Sequence, residues 1–325
     1  CSSDLGNKEF GINKDAKMVF LGGGMMDKSL LKTEIIGQTE DSITEKATIE
    51  TPHGPLEMIT EYPRNEVPWP VEKLIKNVEE DWPKLRWFLG DEWVYDDEPV
   101  GYEKLGEKGV YALAIDLPTD WWNGVRHGGL SQLIYDFFDH RALMDEIIKG
   151  WYYRYAIEKT KAMLRARPDE ILIQGSASSL SFISLDIYKR YNLPLVKEIT
   201  KLCKEAGVIS HQHTCGRSRA IVEVNYLETD LNVMEPLERP PGGDVDLAEV
   251  KRKFGDKLAL KGNVNTFRTM RFGTPRDVER EARWCIEVAA PGGGFVLGTG
   301  DQTPGDTPDE NIYALVEAAK KYGKY

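Results

Sequence analysis

No apolar run in this chain approaches the ~20 residues that a membrane-spanning helix needs, so no such span is expected. Positive charge is also in short supply: Lys+Arg number 42 against 53 Asp+Glu, for a formal net charge of −11. That sign argues against a general binder of nucleic acid or of anionic membrane surfaces. Cysteine is sparse, with 4 in 325 residues and no CxxC pair. Such usage speaks against a disulfide-stapled scaffold and fits reduced thiols in a cytoplasmic setting. Phosphate-binding signatures are missing too. The strand expected over 17–21 runs into Gly22, Gly23 and Gly24, a flexible turn, but no Gly-Lys-Ser/Thr follows and the GxGxxG spacing is absent. No Met precedes Cys1. A start of Cys-Ser-Ser-Asp reads as an acylated lipoprotein end or as a truncated N-terminus, and the count of strands favours truncation.

What is present is an ordinary globular composition, 41% hydrophobic and 29% charged, long enough to bury a core without staples. From 109 onward apolar runs alternate with helical patterns. The runs lie at 110–116, 170–174, 208–213, 231–234, 258–260 and 295–297, and each ends in polar or glycine residues. Between them, 128–165 and 189–206 read as helices. Asp246 and Glu249 have capping-box spacing, Thr274 and Pro275 open a helix over 278–290, and Thr307 with Pro308 opens the last one. The apolar stripe of that last helix is Ile312, Leu315, Val316 and Ala319. This alternation predicts an α/β fold with right-handed βα units and a parallel sheet. Buried strands with chemically rich C-terminal ends point to a (β/α)8 barrel of the TIM type. It would be a single domain over 1–325, with regular units over 109–325 and a hairpin and helical elaboration over 1–108. A doubly wound open sheet is the alternative, without its dinucleotide fingerprint. In the elaboration, 42–51 and 55–62 alternate around an exposed His53, as a hairpin does, and 66–90 reads as helix broken by prolines.

Chemistry concentrates at 207–216. A strand there sets His211, His213 and Cys215 on one face ahead of a turn at Gly216. Imidazole and thiolate at a strand end fit a catalytic Zn²⁺ site; buried core residues are the alternative. In a barrel the strand ends share one mouth, which gathers Asp116, Gln174, Ser176, Glu235, Asn263 and Asp301. Asp301, between Gly300 and Gln302, is the best third ligand beside His213 and Cys215, and Glu235 is next. A loop carboxylate and a partner of Arg217 or Arg219 are their respective alternatives. The candidate catalytic groups are Glu235 and His211. Candidate substrate contacts are Gln174, Ser176, Arg217, Asn263 and Trp121, where Trp121 either walls a pocket for a flat ligand or packs in the core.

The half from 169 to 325 resembles the uroporphyrinogen decarboxylase superfamily. Its landmarks are LDIY at 185–188 with Leu193 and Pro194, HTCG at 213–216, GDVDL at 243–247, KGN at 261–263, GTP at 273–275 and TPDEN at 307–311. The resemblance implies a (β/α)8 fold and one of two chemistries. Porphyrinogen decarboxylases use no cofactor and hold acidic substrate arms with an N-terminal Arg-Gln-Ala-Gly-Arg stretch, which this chain lacks. The corrinoid-linked methyltransferases place zinc on a His-x-Cys and a later Cys. His213 and Cys215 match the pair, and Asp301 stands at the later Cys. A carboxylate there leaves the ion more Lewis-acidic, which points away from coenzyme M and toward polarising an ether or hydroxyl oxygen.

The resemblance thus implies a zinc-dependent methyltransferase, passing a methyl group between a small-molecule donor or acceptor and a corrinoid (methylcobalamin). No Asp-x-His-x-x-Gly motif occurs, which assigns the corrinoid to a separate partner protein. The alternative is a cofactor-free decarboxylase of a tetrapyrrole or aromatic acid, with Arg126, Arg217 or Arg219 clamping carboxylates. A homodimer is compatible with either.

Overall fold

Alternating side chains from residue 31 onward build a four-stranded antiparallel sheet whose neighbours follow sequence order. Its strands are β3 (Leu31–Gln38), β4 (Ser42–Ile49), β5 (Leu56–Pro63) and β6 (Trp69–Glu72). A two-stranded ribbon, β1 (Met18–Leu21) with β2 (Gly24–Asp27), precedes it in sequence. The computed structural model describes residues 18–21, 24–27, 30–93, 105, 106 and 109–323. Cys1 and, of the glycine turn expected at 22–24, Gly22 and Gly23 lie outside them. The hairpin expected around His53 is the β4–β5 pair, closed by Gly54 N donating to Thr51 O at 3.0 Å. The helix expected over 66–90 starts later, as α1 (Val78–Leu89), because Pro68 and Pro70 hold the preceding chain extended. Asn77 caps it, accepting from Glu79 N and Glu80 N, a contact worth about 1 kcal/mol.

Packing divides the chain into two compact units, Cys1–Gly109 with Pro118–Arg167, and Val110–Leu117 with Pro168–Tyr325. The division departs from the expected boundary at 108, since 118–167 joins the N-terminal segment. Aromatic packing is the reason. This segment contributes α2 (Pro118–Val125), α3 (Gly129–Asp139) and α4 (Tyr153–Arg165), the last preceded by a π-helical turn, Glu146–Tyr152. Trp121 stacks on Tyr152 at 4.6 Å between ring centroids, while Trp82 of α1 meets Trp121 and Trp151 edge-on. Arg126 and Asp136 form a buried pair, Nε to Oδ2 at 2.7 Å, and Trp122 Nε1 donates to the same oxygen at 2.9 Å. The remaining Arg126 donors reach Ile75 O and Lys76 O, so the pair is satisfied on every side.

The second unit is a six-stranded parallel sheet in strict sequence order. It runs β7 (Ala112–Asp116), β8 (Glu170–Gln174), β9 (Ile209–His213), β10 (Val233–Glu235), β11 (Ala259–Val264) and β12 (Phe295–Thr299). The longer helices that follow strands β8 to β12 are α5 (Leu193–Ala206), α6 (Arg219–Glu228), α7 (Leu247–Phe254), α8 (Pro275–Ala289) and α9 (Asp309–Tyr322). Among the described residues β7 and β12 are the sheet's two edges. Asp246 caps α7, and Thr274 with Asp277 forms a full capping box on α8. Thr307 does not cap the last helix; Pro308 holds that place. The stripe expected on α9 is also turned, leaving Ile312 and Val316 exposed. Asn311 is drawn inward instead, donating to Met270 O and Gly273 O at 2.8 and 2.9 Å, and it carries the buried face round with it.

Register decides what the strand ends present. Asp116 pairs with Gln174, Gln174 with His213, and His213 with Glu235, a polar layer across four strands. The opposite face of β9 is locked from behind. Gln212 is buried and bonded to Thr214 Oγ1 at 2.9 Å, Asn225 Nδ2 at 2.9 Å and Tyr188 Oη at 3.2 Å. Slipping β9 by one residue would bury both imidazoles in that network and strip Gln212 of its partners.

Candidate metal centre

Period-two geometry on β9 puts His211 and His213 on the face away from Gln212. Beyond the strand, Thr214 N still donates to Glu235 O at 2.8 Å, which extends the ladder far enough to bring Cys215 to the same side. The chain then turns at Gly216, with φ +71°; a Cβ there would lie 2.6 Å from Ser181 Oγ and 2.7 Å from Ser179 Oγ. Only glycine fits. Asp301 arrives from the loop after β12. That loop is pinned by Gly300 N donating to Val264 O at 2.6 Å and by Thr299 Oγ1 donating to Asp301 O at 2.7 Å.

One ligand atom each from His213, Cys215 and Asp301 lie within 4.8 Å of one another, all half-buried. His213 Nε2 stands 3.9 Å from Asp301 Oδ1, while its Nδ1 is 3.2 Å from Glu235 Oε1. One ring nitrogen is thus oriented by a carboxylate and the other turned to the cluster, the arrangement in which metal-bound histidines are held. A tetrahedral Zn²⁺ with bonds of about 2.0–2.3 Å sets its donors about 3.3–3.8 Å apart. Side-chain movement that draws the three atoms from within 4.8 Å to that spacing lets them hold such an ion. Nitrogen, sulfur and oxygen donors together suit Zn²⁺ better than a hard cation.

Behind the cluster runs a chain of alternating carboxylates and imidazoles. Glu235 meets His213, forms an ion pair with Lys261, and lies 3.4 Å from His211 Nε2 without hydrogen-bond alignment. His211 Nδ1 is 3.2 Å from Glu170 Oε1. Burial opposes charge on both histidines, yet the groups that face them outweigh it. The His211 pKa is raised by Glu170 and Glu235, and that of His213 is raised to about 10 by Cys215 and Glu235. Burial likewise opposes the Glu235 charge, but His211, His213 and Lys261 hold its pKa well below the usual carboxylate range. Glu238 accepts from Gly216 N; burial and the nearby Asp301 charge raise its pKa.

The other expected site residues are distributed unevenly. Gln174, exposed, sits in register beside His213, and Ser176 is exposed just after β8. His211 is buried behind Glu235 rather than open to a ligand. Arg217 is 63% exposed and 3.7 Å from Asp244. Asn263 requires correction: it is 1% exposed, donates to Leu237 O at 2.7 Å and accepts from Cys285 Sγ at 3.5 Å, so its amide braces the loop after β10. Trp121 also requires correction. At 3% exposed it belongs to the aromatic core of the first unit. Glu170, Lys261 and Glu238 were not foreseen. Glu170 left a signal, as the charged residue two and four positions before Leu172 and Gln174 on one strand face, and Lys261 left one as part of the KGN landmark.

The chain matches the family model described as uroporphyrinogen decarboxylase (URO-D) over residues 119–322. A methylcobamide:CoM methyltransferase (MtbA) of Methanosarcina mazei is 27% identical over 176 residues, 52% of this chain and 46% of that protein. The MtbA of Methanosarcina acetivorans is 25% identical over 268 residues, 78% of this chain and 71% of that protein. The match therefore spans less than half the length of the first of these relatives. Among solved structures, a methyltransferase from Methanosarcina mazei is similar with a TM-score of 0.60 and 17% identity, covering 81% of this chain and 74% of that one. At that identity the likeness concerns the fold.

Proposed function

The chain belongs to the uroporphyrinogen decarboxylase (URO-D) family, and from that premise we propose that it is a zinc-dependent methyltransferase. It moves a methyl group between a small-molecule donor or acceptor and a corrinoid (methylcobalamin) held by a partner protein. The observation that carries this reading is the approach of His213, Cys215 and Asp301 to within 4.8 Å. The names of the relatives, methylcobamide:CoM methyltransferases, support the same class. Zn²⁺, when bound there, supplies Lewis acidity that lowers the pKa of a thiol or polarises an oxygen.

The protein's own residues do the positioning. Glu235 holds His213 Nδ1 and so points Nε2 at Asp301. Gly216 keeps Cys215 on the same side as His213. Gln174, exposed and in register beside His213, and Ser176, exposed just after β8, orient the small substrate. We further read the six consecutive parallel strands as the wall of a (β/α)8 barrel, and 1–325 as one domain. Their sequence order supports the barrel, and a family match that runs across both units supports the single domain. The setting is cytoplasmic, a reading supported by free thiols at Cys203, Cys215 and Cys285. Among the described residues no helix is long and apolar enough to cross a membrane. The decarboxylase alternative asks for arginines open to carboxylates. Arg126 is taken up by Asp136 and Arg219 pairs with Glu223 and Glu249, which leaves Arg217, 63% exposed and 3.7 Å from Asp244, to serve it.

Metal analysis of protein purified without chelators, with methyl transfer from methylcobalamin measured in parallel, tests the proposal. About one zinc per chain is expected, lost together with activity in Cys215→Ser. Absence of stoichiometric zinc, with activity intact in that variant, overturns it.

A further inference from the structure

Strand β3 is an edge of its sheet, and among the described residues nothing pairs with its outer side. Five consecutive residues, Lys32, Thr33, Glu34, Ile35 and Ile36, are exposed; Ile35 is 63% and Ile36 50% accessible. Exposed edges with apolar residues invite strand addition unless something blocks them. The order of residues along this edge is self-complementary. Read from either end, Leu30, Leu31, Lys32, Thr33, Glu34, Ile35, Ile36 runs apolar, apolar, charge, Thr, opposite charge, apolar, apolar.

Hydrogen-bond parity restricts how a second copy could pair. Leu31 faces Ile49 across β3 and β4, and Glu50 N donates to Leu30 O at 3.3 Å. Residues 30, 32 and 34 therefore direct their backbone groups toward β4, and Leu31 and Thr33 direct theirs outward. A two-fold antiparallel pairing must bring outward residues against outward residues, so its centre falls on a whole residue. Centring on Lys32 or on Glu34 sets like charges opposite, which is unfavourable. Centring on Thr33 sets Lys32 against the Glu34 of the other copy twice over, and Leu31 against Ile35 twice over. The bulge between Ile35 and Gly37 ends the pairable stretch. Among the described residues Lys32 meets Glu50, at 3.3 Å on an exposed surface, a weak competitor.

We propose that β3 is a homodimerisation edge: two copies of this chain pair their β3 strands antiparallel about Thr33, joining two four-stranded sheets into one. The contact is isologous and closes at two. A single strand pair covers less than the ~800 Å² per partner of a stable interface, so the dimer dissociates on dilution. Size-exclusion chromatography with light scattering over a concentration series is the test. The mass should rise from 36.8 kDa toward twice that value as concentration increases. Lys32→Glu and Glu34→Lys each convert both cross-pairs to like charges and should weaken dimerisation by about tenfold or more. An equimolar mixture of the two variants restores both pairs and should dimerise like the parent, which also shows that each variant is folded. A parent that is monomeric throughout, that grows beyond a dimer, or whose dimer survives in both single variants overturns the assignment.

Discussion

Replacing Glu235 by Gln keeps the side chain's size and one acceptor oxygen while deleting its charge. In the folded chain that carboxylate faces His213 Nδ1 at 3.2 Å, His211 Nε2 at 3.4 Å and the Lys261 ammonium. The amide oxygen can still accept from His213 Nδ1, so the ring keeps its orientation but loses electrostatic support. Outer carboxylates of this kind are worth about 10–100-fold in metal affinity, or about 1.4–2.7 kcal/mol. Retained hydrogen bonding puts Glu235→Gln near the tenfold end. Glu235→Ala, which removes the acceptor altogether, falls near the hundredfold end. Lys261 is exposed enough to rehydrate and His211 keeps Glu170, so loss of global stability is not the expected cause. Zinc competition against a chromophoric chelator at pH 7, on reconstituted metal-free protein, measures the effect. Gln and Ala variants that both hold zinc within about twofold of the parent would refute the claim that Glu235 orients the ligand. So would a Gln variant weaker than the Ala one.

Two further outcomes follow from residues away from the cluster. Tyr188→Phe removes a buried hydroxyl that donates to Asn225 Oδ1 at 3.0 Å and accepts from Gln212 Nε2 at 3.2 Å; urea unfolding should show a loss of about 1–3 kcal/mol. Asp81 accepts from Lys76 N and Asn77 N at 2.8 and 2.9 Å and pairs with Lys84, and these contacts outweigh burial to depress its pKa below the usual aspartate value. Its contribution is therefore complete above the unfolded pKa and fades as pH falls through the folded one. Asp81→Asn should cost about 1–2 kcal/mol at neutral pH and flatten the acid side of the stability profile, as read by denaturation between pH 2 and 7.

Much of the second unit was legible because short strand-forming runs alternate with amphipathic helices along the chain. The run at 170–174 coincides with β8, and that at 208–213 overlaps β9 within a residue. Legibility failed where a competing local effect intervened. Pro68 and Pro70 kept 69–72 extended inside an expected helix, and the inward hydrogen bonds of Asn311 turned the buried face of α9. It failed again for residues whose types suggest chemistry but whose surroundings are structural. Trp121, Arg126 and Asn263 each satisfy the core or the backbone.

Sequence alone determined that His211 and His213 share one side of a strand, that a glycine turn follows Cys215, and that the negative charge argues against a general binder of polyanions. These properties depend on two-residue periodicity, on φ and on composition, none of which needs a partner distant along the chain. Tertiary structure decided that Asp301 comes to His213 and Cys215, and that Glu170, His211, Glu235 and Lys261 form a connected set behind them. Strand order and loop path set those distances. Charged and polar groups act over a few ångströms in space, and no local pattern along the chain encodes which remote carboxylate will arrive within that range.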